Sequence, residues 1–276
     1  MAWKVSRDYG GIKANFSKQD HRAFLTQNTW VAKRFRIGYS DSMKTFILLA
    51  IIWSGNCFAA VAYIGEIKDP EGYSNIRQLP NKDSKIIGKI TKGESFHVGK
   101  LVSEIYVDSL GWWPVAYGDV IGFIHRSRVK LGKKSQAFHF AMRQTKKKVF
   151  VIYLAQNKFE PSKHKIVIDE KNSNKYFKYV KSIGGRPPIG TDNGMPTREI
   201  AKFKVLVDGR DILFPRDQFA DCFHPNFGED YIKVIVDNPG KKILVNMLGS
   251  DGAGGFRAYW IIDTDGNHQR FVSEHQ

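Results

Sequence analysis

From Tyr63 onward the chain alternates short apolar runs with clusters of turn-forming residues. Ile64, Ile67 and the run 73–76 flank Asp69-Pro70-Glu71-Gly72, and a second cluster, Leu79-Pro80-Asn81-Lys82-Asp83, follows. Runs 86–90, 96–102, 112–115 and 120–124 continue the series, with Lys92-Gly93 and Tyr117-Gly118-Asp119 among the breaks. Strands this short, spaced by Gly, Pro, Asn and Asp, predict a small barrel or sandwich. Residues 149–276 carry a second strand-rich pattern, with predicted strands at 149–154, 165–169, 176–181, 200–207, 231–237, 243–248, 256–262 and 270–272. Asp208-Gly209 marks a hairpin, residues 215–223 a short helical turn opened by Pro215, and residues 184–196 a Gly- and Pro-rich loop. The expected fold is all-β: a small barrel over 63–131, a basic linker over 132–148, and a β-sandwich or curved-sheet domain over 149–276. The linker is marked by Lys133-Lys134 and Lys146-Lys147-Lys148, and Phe138-His139-Phe140-Ala141-Met142 between them fits the first strand of the second domain.

The N-terminal pattern is of another kind. Met43-Lys44, the unbroken apolar run 46–53 and an exit of small residues ending Ala60-Val61-Ala62 form the three parts of a secretory leader over 43–62. Residues 1–42 show no hydrophobic periodicity and are expected to be a non-native or disordered extension, with Met43 as the true start. Two other readings fit the same segment: an uncleaved anchor over 46–64, about long enough to span a bilayer, and a lipidated Cys57. The expected location is the periplasm or the exterior.

Composition narrows the class. Hydrophobic residues make up 42% and aromatics 13%, enough for a real core, which excludes global disorder. The net charge of +16 points to an acidic partner. Without residues 1–62, Lys and Arg fall from 43 to 34 and Asp and Glu from 27 to 24, leaving +10. Cys222 is then the only cysteine, so no intramolecular disulfide forms; set between Phe219 and Phe223, it reads as a small buried filler. Export and the absence of basic residues interleaved along a helix argue against nucleic acid. No membrane contact is expected once the leader is removed, and the lysine runs read as solvated faces.

Four landmarks in order carry a family resemblance. Gly72-Tyr73-Ser74-Asn75-Ile76-Arg77-Gln78-Leu79-Pro80 resembles the opening strand and Pro loop of bacterial Src-homology-3 domains. Residues 84–90 with Lys92-Gly93 look like the next strand and turn, Trp112-Trp113-Pro114-Val115 like the aromatic strand, and Gly122-Phe123-Ile124-His125-Arg126-Ser127-Arg128-Val129 like the closing segment. Pro114 departs from the pattern and predicts an edge or a bulge; the insert 100–110 departs from it in a loop that shapes the ligand groove. The resemblance implies binding of a peptidoglycan peptide or of a protein partner in the envelope, with candidate ligand contacts at Tyr73, Asn75, Arg77, Trp112, Trp113 and Tyr117. Adjacent strand residues face opposite ways, so one of Trp112 and Trp113 belongs to the core and the other to the outside. Residues 149–276 resemble no named family, only uncharacterised exported bacterial β-domains.

Little else points to chemistry. The loop Gly249-Ser250-Asp251-Gly252-Ala253-Gly254-Gly255 lacks the Lys-Ser/Thr ending of a phosphate loop and reads as a wide turn. Asp263-Thr264-Asp265-Gly266-Asn267, with Glu274 beyond it, resembles a calcium loop in its oxygen spacing, but its glycine is misplaced and a hairpin fits better. His97, His125, His139, His164, His224, His268 and His275 show no zinc spacing. No catalytic residue, metal or cofactor is therefore expected. The preferred function is a non-enzymatic exported binding protein, with an immunity-type inhibitor of a wall hydrolase as a special case. The rival is a wall hydrolase built around Asp251 with Asp221 or His224.

Overall fold

The computed structural model describes residues 55–56, 58–101, 111–145, 147–212, 214–228, 230–237, 240–250 and 254–274. The extension 1–42, leader residues 43–54, Cys57, insert residues 102–110, Lys146, Asp251 and His275 lie outside the described residues. Strand makes up 56% and helix 5%, so the chain is all-β. The strands are β1 (Gly55–Asn56), β2 (Phe58–Ile67), β3 (Tyr73–Arg77), β4 (Ile86–Thr91), β5 (Phe96–Leu101), β6 (Trp112–Tyr117), β7 (Val120–His125), β8 (Val129–Lys134), β9 (Phe138–Gln144), β10 (Val149–Lys158), β11 (Ile166–Ile168), β12 (Val180–Ile183), β13 (Arg198–Val207), β14 (Arg210–Ile212), β15 (Ile232–Val236), β16 (Lys242–Gly249), β17 (Phe256–Asp263) and β18 (His268–Glu274).

Three antiparallel sheets result. The largest runs β14-β13-β10-β9-β2-β5-β6-β7-β3-β4, with β8 also on β2; a second runs β1-β15-β16-β17-β18; β11 and β12 form a hairpin of their own. The order follows from which faces are apolar. In β10 every residue from Val149 to Ala155 is buried. Because side chains alternate, Phe150, Ile152 and Leu154 enter one core while Val149, Val151, Tyr153 and Ala155 enter another. The first core lies between β10, β13 and β14 on one side and β15–β17 on the other, and holds Trp260, Phe256 and Met247. The second joins β9 and β10 to the outer faces of β2, β6 and β7, through Ala62, Ala116, Ile121 and Phe123. A third core, Ile67, Ile76, Ile90, Phe96, Val98, Val115, Ile124 and Val129, draws on β2–β8, so that part of the large sheet curls around its own interior. Each fully buried Ile, Val or Phe contributes about 2 kcal/mol over an exposed one.

Strand β2 ties these regions together. On one edge it pairs with β5, from Ala60↔Leu101 to Gly65↔Phe96. Its other edge pairs with β9 over Phe58–Ala60 and with β8 over Tyr63–Ile67. Ala60-Val61-Ala62, expected to be a leader exit, thus lies within a strand that has neighbours on both edges. Residues read as a basic linker hold the end of β8 and all of β9, whose first five residues are buried. Residues 54–276 pack as one compact unit.

Local signals act as their chemistry requires. Asp208 (φ 53°) and Gly209 (φ 73°) turn β13 into β14, and Asp208 Oδ1 accepts the Val149 N–H at 2.8 Å. Asp263 Oδ1 accepts the Asp265 and Asn267 N–H groups, each at 2.9 Å, making a β17–β18 hairpin turn of the calcium-like motif. Pro215 caps a single 3-10 turn, Arg216–Gln218. The pairing of β5 with β6 covers Val98↔Val115 and His97↔Ala116 and stops short of Pro114, which has no N–H to donate. The strand expected at 176–181 begins only at Val180; Asn174 and Ser173 hold the preceding residues in a turn.

Candidate functional site

Strand β3 alternates half-exposed and buried residues. Ser74 and Ile76 turn inward, which aims Tyr73, Asn75 and Arg77 at the opposite side. There they form one wall of a cleft of about 430 Å³. The facing wall is Trp112 from the start of β6, His125 from the end of β7, and Ser127 and Arg128 from the 3-10 turn that follows; Asp69, Glu71 and Lys82 close the ends. Among the described residues, all those that line it fall between Asp69 and Arg128.

Two glycines allow these walls to meet. A Cβ on Gly122 would lie 2.5 Å from the Arg77 carbonyl oxygen, where β7 passes β3. At Gly111 (φ 67°) a Cβ would lie 2.6 Å from His125 Nε2. The Arg126 N–H donates to the Gly111 carbonyl at 2.7 Å and fixes the approach to Trp112.

The polar groups are held in place. Asp69 is buried and pairs with Arg128, and its Oδ1 accepts the Glu71 N–H at 3.1 Å. Burial opposes ionisation of Asp69, but the Arg128 hydrogen bond, the Glu71 N–H and the Arg128 charge outweigh it and hold the carboxyl below its usual range. Arg77 Nη1 donates to the Ser84 carbonyl at 2.7 Å. His125 Nδ1 lies 2.6 Å from Ser127 Oγ and accepts the Ser127 N–H at 3.4 Å, placing the ring proton on Nε2. Burial, then Arg126 and Arg128, lower the His125 pKa, so the ring is neutral at pH 7. Trp112 meets it edge to face at 5.4 Å. Lys89 Nζ sits 3.7 Å over the Tyr73 ring. Arg128 neutralises Asp69, and Arg77 and Lys82 outnumber the remaining carboxylate, Glu71, so the lining is cationic on balance.

Of the six candidate contacts, Tyr73, Asn75, Arg77 and Trp112 share this cleft. Trp113 and Tyr117 do not line it: both pack against the curved core, and the Tyr117 hydroxyl donates to Glu94. Both rings are half-buried: Trp113 packs against the curved core, while Trp112 lines the cleft and also packs against the second core. Sequence reasoning missed His125, Arg128 and Asp69 as site residues. The first two stand in the quoted closing segment, and Asp69 was visible only as a turn former.

Elsewhere the groups that suggest chemistry are already engaged. His224 accepts the Thr197 N–H on Nε2 at 2.9 Å, and its Nδ1 lies 2.8 Å from the Gly190 carbonyl. With both nitrogens bound to backbone, it has no free base. Asp221 pairs with Arg270 at 2.8 and 3.0 Å, and Cys222 is fully buried 3.3 Å from the same guanidinium. A second cleft of about 310 Å³ lies on β13 and β14. Its charges pair with their neighbours: Lys202 with Asp119, Lys204 with Asp211 and Arg216 with Glu199. Among the described residues no three His, Cys, Asp or Glu side chains gather to hold a metal. No protein-family model matches the chain, and no curated protein matches it.

Proposed function

We propose that the chain is a non-enzymatic binding protein of the cell envelope, and that its curved β2–β8 region is a Src-homology-3-like barrel of the bacterial kind. The observation that carries this reading is the cleft, which unites Tyr73, Asn75, Arg77 and Trp112 and whose described lining comes from residues 69–128 alone. Two details of the region support it: β8, the last strand, pairs with β2, the first, and a 3-10 turn directly precedes β8. The aromatic wall suits the stem of an extended peptide, while Arg77 and Lys82 suit a carboxylate on it. A peptidoglycan peptide meets both demands; a protein segment with the same chemistry is the other occupant. The engaged state of His224 and Asp221 weighs against the hydrolase reading.

The test is retention of the full chain on purified peptidoglycan, together with titration of a soluble stem peptide. Trp112→Ala and Arg77→Ala are each expected to weaken binding about tenfold. Binding equal to wild type in both variants would remove the cleft as the site. Absence of wild-type binding to wall material would transfer the reading to a protein partner, including the inhibitor form.

A further inference from the structure

The β11–β12 hairpin forms a lobe apart from the cleft, and its surface chemistry is unusual for this molecule. Residues 158–186 carry eight Lys and Arg against three Asp and Glu. Among the described residues, none of Lys165, Lys171, Lys175 and Lys181 makes an ion pair, and all four are exposed. The described surface leaves six large apolar side chains exposed, and Val167, Tyr176, Phe177 and Met195 are four of them. Val167, Tyr176 and Phe177 belong to the hairpin. Met195 follows Gly194, whose Cβ position lies 3.2 Å from the Phe177 ring.

The apex is built to present these rings. Asp169 Oδ1 accepts the Lys171 and Asn172 N–H groups at 3.1 and 3.3 Å, and Oδ2 accepts the Asn172 side-chain amide at 2.9 Å. Ser173 Oγ donates to the Asp169 carbonyl at 2.7 Å and accepts the Tyr179 N–H at 2.9 Å. Asn174 Oδ1 accepts the Tyr176 and Phe177 N–H groups at 2.8 and 2.9 Å. Within this bracing Tyr176 stands 91% exposed. Leaving a large ring in water is unfavourable. Fixing it there removes the ordering entropy that docking would otherwise cost.

We propose that this apex docks the protein on an anionic phospholipid surface, with Tyr176 and Phe177 entering the headgroup boundary and the surrounding lysines meeting lipid phosphates. Aromatic rings with a polar tip favour that boundary, and juxtaposed lysines are drawn to anionic leaflets. A soluble polyanion would engage the lysines but gain little from rings on a convex tip; polymer binders line grooves instead. Among the described residues no helix is long and apolar enough to cross a membrane, so the contact proposed is peripheral. It departs from the expectation of no membrane contact after leader removal.

The test is co-sedimentation of the full chain with vesicles of phosphatidylcholine alone and of phosphatidylcholine mixed with phosphatidylglycerol. The quantity read is the gain on adding the anionic lipid, because the apolar run 46–53 contributes to both arms. The double variant Tyr176→Ser, Phe177→Ser is expected to lower the gain about tenfold, and Lys171→Gln, Lys175→Gln to lower it several-fold with a weaker salt dependence. Lys133→Gln, Lys134→Gln on β8 removes the same charge elsewhere and should leave the gain within about twofold. Unchanged urea midpoints would show that all variants are folded. No gain for wild type, or equal losses from both lysine pairs, would overturn the proposal. So would loss through the lysines with none through the rings, which would mark a polyanion site.

Discussion

The curved region β2–β8 and the sandwich packed behind it use the same antiparallel strands to opposite ends. Among the described residues the sandwich core gathers twenty-three buried side chains and the curved core eight. Strand β10 is buried on both faces, whereas β3 buries two residues of five and turns the other three to the cleft. A strand that presents Tyr73, Asn75 and Arg77 to a ligand cannot also use them for cohesion. The curved region compensates from outside. Ile121 and Phe123 of β7 face away from the curved core into the shared core with β9 and β10, and Lys202 Nζ bonds the Gly118 carbonyl and Asp119 across the same junction. The half that carries the cleft is thus held by the half behind it rather than standing alone.

The largest effect is expected in the core between the two stacked sheets. Trp260 is fully buried and its Nε1 donates to the Gln218 carbonyl at 2.7 Å. Trp260→Ala is expected to cost about 4 kcal/mol, read as a lower urea midpoint. With the shared core intact, fluorescence and circular dichroism should report one transition; two separate transitions would show that the halves are uncoupled.

A pH titration asks more of the junction. His139 on β9 is buried, its Nε2 has no partner, and burial depresses its pKa to about 4 despite a hydrogen bond to the Phe227 backbone. In the unfolded chain the ring takes up a proton near pH 6.5. The folded state therefore loses roughly 3 kcal/mol as pH falls from about 6.5 to about 4, and little more below that. His139→Phe should flatten urea midpoints across this window. His97, 2.7 Å from the Tyr153 hydroxyl and lowered by burial and then by Lys202, adds in the same direction.

The two tryptophans separate cohesion from recognition. Trp113→Ala is expected to cost about 2–3 kcal/mol of stability, and Trp113→Phe far less, because it also removes a buried Nε1 that has no acceptor. Trp112→Ala should lower ligand affinity about tenfold, or 1.4 kcal/mol, as well as the urea midpoint, because the ring packs against the second core, whereas Trp113→Ala should lower the midpoint alone. The reverse pattern would exchange their assignments. The smallest effect is expected at Asp69. Its carboxyl is held low, so its contribution is complete above the usual carboxylate range and fades as pH falls through the depressed value. Asp69→Asn should abolish that acid-side loss of stability, read as urea midpoints that no longer fall over the same pH range.

The sequence-level reading was clearest where one face of a strand is wet. In β3 and β16 buried positions alternate with wetter ones, and both were legible as strands. It failed where both faces are covered. Phe138-His139-Phe140-Ala141-Met142 is a continuous run between lysine clusters, which reads equally as a linker with an apolar patch or as a doubly buried strand. Residues 58–62, Phe-Ala-Ala-Val-Ala, carry the same ambiguity, because small residues suit a leader exit and also a strand with close neighbours. At the site, the β3 contacts were legible from alternation and resemblance. Asp69 and His125 were not: their roles depend on Arg128 and Gly111 arriving from elsewhere in the chain.

The position of β2 sets an order of assembly. Its partners in β9 lie more than eighty residues further along the chain, as Phe58↔Met142 shows. During synthesis β2 appears before any strand it pairs with, and the hairpins β6–β7 and β9–β10 can form while it waits. Closing so long a loop is slow, and until it closes β5 and β9 both keep an open edge. A strand so early in the chain is therefore secured late, and the nascent protein is exposed to mispairing along the lane that β2 eventually fills.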